Sequence, residues 1–282
     1  MQIKTVGVLG CGLMGSGIAQ VCAAAGYKTI VKEIDDALLQ KGLGRIRKFL
    51  EDGVTKGKVT AHARDSTLDR LTGTTTFDAM AACDLVVEAI VENLEAKRAA
   101  YASLERVLGA HTIFLSNTSS LCVTELAAST KRPDRFAGLH FFNPVPLMKL
   151  AEVIRGLTTS DDTYAQAFAF ARSLGKEPIN APDRPGFIVN RLLVPYLLDA
   201  VRAYENGLGT LEDIDKGMTL GCGHPIGPFA LLDFVGLDTT YYIANIMFEE
   251  FREPAYAPPP LLKRMVLAGR LGRKSGRGFY QY

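Results

Sequence analysis

The sequence predicts an α/β protein with a doubly wound, mainly parallel sheet and a second, all-helical C-terminal domain. Short apolar runs alternate with helical patterns over the first two thirds of the 282-residue chain. A glycine-rich turn joins the first apolar run to the first helical pattern, and the strand pattern ends at a Pro/Gly break near Pro185. We therefore expect one domain over residues 1–184 and another over residues 185–282.

The glycine-rich turn is the strongest local signal. From Val6 an apolar strand enters the sequence Gly10-Cys-Gly12-Leu-Met-Gly15, and a helical pattern follows. In a dinucleotide-binding βαβ unit, the first glycine permits the turn, the second admits the pyrophosphate, and the third lets helix and strand pack closely. A second apolar strand ends at Glu33, 33 − 12 = 21 residues after Gly12, where a ribose-binding acid is expected. This context predicts a Rossmann-type domain.

The other elements follow in order. Strands are predicted over 85–88, 112–115, 136–142 and 150–154, and a helix over 93–108. Residues 36–71 are polar and helix-prone, and twice as long as an ordinary crossover; we expect them to project from the sheet as a helical hairpin. After the Pro/Gly break only helices are predicted.

Composition and charge narrow the choice of partners. The chain is 48% hydrophobic with a formal net charge of +2 and scattered lysines and arginines, so we expect a small-molecule partner, no nucleic acid and no membrane. Five cysteines without a CxxC pair indicate neither a disulfide framework nor a zinc site, and favour a reducing cytoplasm. The first strand begins close to Met1, so we expect no targeting peptide and a cytoplasmic location.

His140 is the best candidate for acid–base chemistry among the four histidines. It lies near the carboxyl end of a predicted strand, at the edge where open α/β sheets bind ligands. A core histidine satisfied by a backbone carbonyl is the alternative. The other three lie in a polar stretch, before a strand and in a loop: His62, His111 and His224.

Two further groups of residues support a site at this edge. Glu152 is an acid inside an apolar run, where a carboxylate is costly unless it is paired, and an imidazole would satisfy it. The polar sequence Asn117-Thr-Ser-Ser120 follows the strand predicted over 112–115, so it should lie at the same edge. Capping of the next helix, over 123–127, is the alternative for these residues.

Seven motifs together resemble the L-3-hydroxyacyl-CoA dehydrogenase family, in particular its stand-alone 3-hydroxybutyryl-CoA type. The resemblance spans the whole chain, and GLHFFNP is far more specific than the glycine turn. The motifs are GCGLMG (10–15), VEAIVEN (87–93), SNTSS (116–120), GLHFFNPVPLMKLAEVI (138–154), PGFIVNRLLVPY (185–196), GHPIGPF (223–229) and GRKSGRGFYQY (272–282).

The resemblance implies transfer of a hydride between NAD(H) and C3 of a short-chain (S)-3-hydroxyacyl-CoA, from 3-hydroxybutyryl-CoA to acetoacetyl-CoA. It makes His140 the general base, Glu152 its orienting partner, and Ser119 and Asn190 the residues that position the substrate. The implied NAD-binding residues are Gly10, Gly12, Leu13, Met14, Gly15, Glu33, Glu92, Lys97, Asn117 and Asn143. Lys48, Lys56 and Lys58 become candidates for binding the CoA phosphates, with an ordinary solvated helix face as the alternative for each lysine.

The resemblance also implies a homodimer formed through the C-terminal domain, where apolar stretches lie over 229–235 and 241–247. These stretches could instead form that domain's own core. Glu33 stands where Asp is usual, and Lys32 beside it leaves the preference for NAD over NADP open. A λ-crystallin-like hydroxy-acid (gulonate) dehydrogenase and a non-catalytic NAD-binding protein are the alternative functions.

Overall fold

The computed structural model describes residues 2–282, which form two compact units divided between residues 183 and 184. The strands of the first unit join in one sheet in the order β3-β2-β1-β4-β5-β6-β7-β8. They are β1 (Thr5–Leu9), β2 (Lys28–Lys32), β3 (Leu71–Thr74), β4 (Leu85–Glu88), β5 (Ile113–Ser116), β6 (Phe136–Phe141), β7 (Leu150–Arg155) and β8 (Glu177–Pro182).

The sheet runs parallel from β3 to β6, while β7 is antiparallel to β6 and β8 is parallel to β7. The prediction of a doubly wound, mainly parallel sheet is therefore confirmed. Strand order reverses between β1 and β4, so the carboxyl ends of these strands flank the crevice where such sheets bind ligands. The sequence does not predict β3 or β8. Both are edge strands that contain Gly73 or prolines and polar residues, and so lack the apolar run of a strand buried on two faces.

Helices cover the sheet of the first unit. Leu39, Ile46 and Leu50 of α2 are buried in the same core as strand residues such as Val8. The expectation that residues 36–71 project from the sheet is therefore wrong for α2, because one face of this helix packs against the core. The helix predicted over 93–108 ends at Leu104. The helices are α1 (Leu13–Ala24), α2 (Asp36–Thr55), α3 (Ala61–Asp69), α4 (Leu94–Leu104), α5 (Val123–Ala128) and α6 (Asp161–Ser173).

The second unit is helical, as predicted. Its helices are α7 (Val189–Glu205), α8 (Leu211–Cys222), α9 (Pro228–Val235), α10 (Leu237–Phe251) and α11 (Pro260–Leu267). The apolar stretches over 229–235 and 241–247 supply much of its core, while Phe234, Val235 and Tyr242 remain exposed. Within residues 2–282 we find no helix with both the length and the apolar character to cross a membrane.

Candidate active site

The glycine loop between β1 and α1 combines two packing glycines with one that leaves space. Gly10 has φ +96°, and a Cβ on it would lie 2.6 Å from the Ala89 carbonyl oxygen. A Cβ on Gly15 would lie 2.0 Å from the Gly10 carbonyl oxygen. A Cβ on Gly12 would meet nothing within 4 Å, and Gly12 starts α1 without a side-chain cap. The loop therefore offers first-turn amide groups and open space to a phosphate.

Leu13 and Met14 form the first turn of α1 beyond this space, and the Leu13 side chain is 60% exposed. Helix α2 also contacts the loop, at Cys11. The Arg45 Nη2 donates to the Cys11 carbonyl oxygen at 2.8 Å, and a Cβ on Gly42 would lie 2.2 Å from the Cys11 Sγ. Burial, with the nearby Glu33 carboxylate, raises the pKa of Cys11 to about 11, so this thiol is neutral at physiological pH.

Glu33 is fixed beside the glycine loop. Its Oε2 accepts from the Cys11 amide at 2.7 Å, and its Oε1 accepts from the Ile34 amide at 2.7 Å. Each carboxylate oxygen can accept a second hydrogen bond, such as one from a ribose hydroxyl. The Lys32 Nζ lies 4.2 Å from the centroid of the Phe77 ring, a cation–π contact.

His140 and Glu152 lie opposite each other on antiparallel neighbours, β6 and β7. Directly opposed residues point to the same face of a sheet, and the His140 Nδ1 lies 2.7 Å from the Glu152 Oε2. The histidine is 6% exposed and the glutamate is fully buried. A carboxylate at Nδ1 fixes the tautomer that donates from Nδ1, which places the accepting lone pair of the neutral ring on Nε2.

The loop after β5 carries Ser119 and is tied to its neighbours by side chains. Asn117 Oδ1 accepts from the Phe141 amide at 2.8 Å, which links this loop to the residue after His140. The Glu92 Oε1 accepts from the Ser119 amide at 2.9 Å and from the Thr118 hydroxyl. Ser119 itself is half-buried at the carboxyl edge of the sheet.

Glu92 and Lys97 belong to a buried ion cluster. The Lys97 ammonium lies 2.6 Å from the Glu88 Oε1 and 3.1 Å from the Glu92 Oε2, and the Lys97 side chain is 1% exposed. Burial alone would lower the pKa of Lys97, but attraction by both carboxylates raises it above its usual value. Burial would likewise raise the pKa of Glu92, but Lys97 and the hydrogen bonds from Thr118 and Ser119 lower it. Both groups are therefore charged at neutral pH.

Asn143 lies in the segment that joins β6 to β7, two residues after the end of β6, and its peptide bond to Pro144 is cis. The segment is held from β8's side by Lys176, whose Nζ donates to the Val145 carbonyl at 2.5 Å and to the Met148 carbonyl at 2.8 Å. Burial lowers the pKa of Lys176. Its contacts with two carbonyl oxygens anchor the chain that follows Asn143.

Asp183 caps α5, a role that the sequence does not predict. The Asp183 carboxylate accepts from the Val123 amide at 2.8 Å and the Thr124 amide at 2.7 Å. The alternative that residues 117–120 cap this helix is therefore wrong. Cys122 is the N-cap residue, its Sγ lies 3.5 Å from the Asp183 Oδ2, and burial raises the pKa of the thiol. An acid 60 residues away along the chain gives no local capping signal.

The remaining candidates lie on helices. Lys48 on α2 pairs with Asp52 at 3.5 Å, Lys56 is the C-cap of α2, and Lys58 follows in the turn to α3; all three lysines are exposed. Asn190 is the second residue of α7 in the second unit and is half-buried. The structure thus brings together Ser119, His140, Glu152 and the Glu92–Lys97 pair along the carboxyl ends of β4 to β6 and the facing end of β7.

Comparison with known proteins covers the full chain. The family model for the NAD-binding domain of 3-hydroxyacyl-CoA dehydrogenase matches residues 5–184, and the model for its C-terminal domain matches residues 186–282. The 3-hydroxybutyryl-CoA dehydrogenase of Mycobacterium tuberculosis is 51% identical over 282 residues, which cover 99% of each chain.

Solved structures agree. The crystal structure of M. tuberculosis FadB2 matches with a TM-score of 0.98 at 51% identity and covers 100% of both chains. That of (S)-3-hydroxybutyryl-CoA dehydrogenase PaaH1 from Ralstonia eutropha matches with a TM-score of 0.95 at 47% identity, over 100% of this chain and 99% of the other. The chain therefore belongs to the 3-hydroxyacyl-CoA dehydrogenase family of NAD-dependent oxidoreductases, and its first unit is that family's NAD-binding domain.

Proposed function

We propose that this enzyme interconverts short-chain (S)-3-hydroxyacyl-CoA and 3-ketoacyl-CoA with NAD(H), with 3-hydroxybutyryl-CoA and acetoacetyl-CoA as its substrates. The relatives in M. tuberculosis and R. eutropha, named as 3-hydroxybutyryl-CoA dehydrogenases, support this substrate. The observation that carries the proposal is the 2.7 Å contact between the His140 Nδ1 and the buried Glu152 carboxylate.

His140 is the general base. In oxidation its Nε2 accepts the proton of the 3-hydroxyl group as the C–H electron pair of C3 leaves as a hydride. Glu152 holds the ring in the accepting tautomer and stabilises the imidazolium that forms, because its charge lies beside the new positive charge. In reduction the same nitrogen returns the proton to the C3 oxygen. Ser119 and Asn190 orient that oxygen.

NAD supplies the hydride acceptor when it is bound. The residues present fit this cofactor, because the space above Gly12 and the first-turn amides of α1 suit a pyrophosphate, and Glu33 suits the ribose hydroxyls. The Lys32 ammonium lies over the Phe77 ring, and an ammonium engaged in this contact is less available to bind a 2′-phosphate. This contact therefore favours NAD over NADP. Leu13, Met14, Gly10, Gly15, Glu92, Lys97, Asn117 and Asn143 complete the proposed cofactor site.

Three further assignments go with this function. Lys48, Lys56 and Lys58 are exposed cations on or next to α2 and are assigned to the CoA phosphates. Exposed Phe234, Val235 and Tyr242 of the second unit support a homodimer formed through it. Cytoplasmic location and a role in fatty-acid metabolism complete the proposal; five free cysteines suit a reducing compartment.

Initial rates test the function directly. We expect acetoacetyl-CoA to be reduced with NADH at least roughly tenfold more efficiently than with NADPH, because Glu33 opposes a 2′-phosphate. Gulonate with NAD should give no rate above background. Equal use of NADPH would contradict the role of Glu33, and efficient oxidation of gulonate without CoA would support the hydroxy-acid dehydrogenase instead.

A further inference from the structure

Glu88, the last residue of β4, is a buried carboxylate to which the proposed function gives no role. Its Oε1 accepts from the Ile90 amide at 2.8 Å and from the Lys97 ammonium at 2.6 Å. Its Oε2 accepts from the Ser116 hydroxyl at 2.7 Å and from the Tyr101 hydroxyl at 3.2 Å. Glu88, Tyr101 and Ser116 are fully buried, so the carboxylate is surrounded by donors at the ends of β4 and β5.

Besides the backbone bond from the Asn117 amide to the Glu88 carbonyl at 2.8 Å, two routes lead from the Glu88 carboxylate to the Ser119 loop. Through Lys97 it reaches Glu92, whose other oxygen accepts from the Ser119 amide at 2.9 Å. Through the hydroxyl of Ser116 it holds the residue at which β5 ends and the loop begins. Two carboxylates and one ammonium also give the cluster a net negative charge. The Glu88 carboxylate therefore acts on the Ser119 loop through Lys97 and Ser116, which are among its own hydrogen-bond partners.

The strand order places this cluster under one half of the cofactor site. Glu33 follows β2 and marks the ribose of the adenosine half on the β1–β2 side. A dinucleotide held in this way would place its nicotinamide half across the crevice, on the side of the carboxyl ends of β4 and β5. We propose that Glu88 is a positioning residue for hydride transfer, which holds Lys97, Glu92 and the Ser119 loop beneath the nicotinamide. This proposal rests on the proposed function.

Loss of the Glu88 charge has a specific consequence. The buried Lys97 ammonium then has Glu92 as its one remaining carboxylate partner. Because a buried charge is costly without a partner, we expect the Glu92 carboxylate to shift toward Lys97. Glu92 then moves away from the Thr118 and Ser119 donors, and the loop loses this anchor while its bond from the Phe141 amide to Asn117 remains. A displacement of about 1 Å in a positioning group lowers turnover by as much as about 100-fold.

Glu88→Gln and Glu105→Gln form a matched pair of variants. Glu105 caps the opposite end of α4, its side chain is 6% exposed, and it pairs with Arg132 at 3.5 Å and accepts from the Lys131 amide. Both changes remove one buried carboxylate charge from the same domain. We expect Glu88→Gln to lower kcat for acetoacetyl-CoA roughly 10- to 100-fold with little change in KM, and Glu105→Gln to leave both within about twofold.

Cofactor titration separates this proposal from the substrate assignment. The chain has no tryptophan, so NADH fluorescence reports binding without energy transfer from an indole. Because Glu88→Gln removes the net negative charge of the cluster, binding of NAD⁺, with its positive nicotinamide, should weaken about threefold or more relative to binding of NADH. Glu105→Gln should leave this ratio unchanged. The titration tests Glu88 even if acetoacetyl-CoA is not a substrate of the wild-type enzyme.

Ser116→Ala provides a second test that leaves all charges in place, should Glu88→Gln fail to fold. It removes one donor to Glu88 together with the oxygen that accepts from the Thr118 amide at 3.3 Å, so it breaks the link from the Glu88 carboxylate through Ser116 to the loop. It should lower kcat about three- to tenfold without changing the ratio of the NAD⁺ and NADH dissociation constants. The proposal is overturned if folded Glu88→Gln keeps the wild-type kcat and the wild-type ratio of the NAD⁺ and NADH dissociation constants. It is also overturned if Glu105→Gln lowers kcat as much as Glu88→Gln does, or if Ser116→Ala keeps the wild-type kcat.

Discussion

The carboxyl edge of the sheet, where we place the cofactor, has two halves that differ in the chemical groups they present. Around β1 and β2 the groups that we assign to the cofactor are backbone amides and the open space at Gly12, with Glu33 beside them. Around β4 to β7 they are charged and polar side chains that are buried in pairs, such as Glu88 with Lys97 and His140 with Glu152. The first half depends on the absence of side-chain atoms, whereas the second depends on each charge having its partner.

The difference has an energetic basis. A glycine position fails when atoms are added, because the Cβ collides or fills the ligand's space. A buried ion pair fails when one partner is removed, because the other remains desolvated without compensation. Substitutions in the second half should therefore mainly affect turnover, and substitutions in the first half should mainly affect cofactor affinity.

The largest effect is expected for His140→Gln. Glutamine keeps a polar side chain but cannot accept the hydroxyl proton, so kcat should fall by roughly two to four orders of magnitude. The dissociation constant of NADH, from fluorescence titration, should stay within about twofold because the glycine loop is untouched. A kcat close to that of the wild type would remove His140 from the mechanism.

A smaller loss is expected for Glu152→Gln. The amide can still accept from Nδ1, but it carries no charge to stabilise the imidazolium, so kcat should fall roughly 10- to 100-fold. Glu177→Gln is the matched control, because this exposed carboxylate lies at the start of edge strand β8. Unchanged turnover of Glu152→Gln would show that the 2.7 Å contact is structural and not catalytic.

Sequence reasoning finds the first half of the edge more completely than the second. The spacing of Gly10, Gly12, Gly15 and Glu33 is local, and the structure places all four around one loop. In the second half an acid within an apolar run singles out Glu152, and Glu88 carries the same signal in its strand of Leu-Val-Val-Glu. Its partners Lys97, Tyr101 and Ser116 come from different elements, so only the fold shows that they converge.

The features of the first unit that the sequence does not predict also depend on contacts between distant residues. Strands β3 and β8 form through sheet-edge pairing and not through their own apolar pattern. Asp183 caps α5 from a distant part of the chain, and α2 lies against the core because Gly42 admits Cys11 at close range. In each case a tertiary contact decides a feature that the local residues leave open.

In the first half, Gly12→Ala should separate affinity from stability. Gly12 has φ −66° and open space at its Cβ position, so alanine fits the loop, but its methyl group occupies the space assigned to the pyrophosphate. We expect the dissociation constant of NADH to rise about tenfold or more with a melting midpoint close to wild type. Gly15→Ala is the contrasting variant, because its Cβ would collide with the Gly10 carbonyl and lower the melting midpoint. Equal affinity in Gly12→Ala would refute this position for the pyrophosphate.

The smallest effect is expected outside both halves, at the exposed lysines within residues 36–71. Binding of a phosphate by a surface lysine is a screened Coulombic interaction, with a Debye length of about 10 Å at 0.1 M salt. Lys56→Ala should therefore raise KM for acetoacetyl-CoA about two- to fivefold at low salt, less at high salt, and leave kcat unchanged.

The matched control is Lys28→Ala, which should leave KM unchanged. Lys28 is also an exposed lysine, but it lies at the amino end of β2, away from the carboxyl edge of the sheet. A pantetheine thioester, which lacks the nucleotide phosphates, should be insensitive to Lys56→Ala. Equal damage with both substrates, or none with either, would return these lysines to an ordinary solvated helix face.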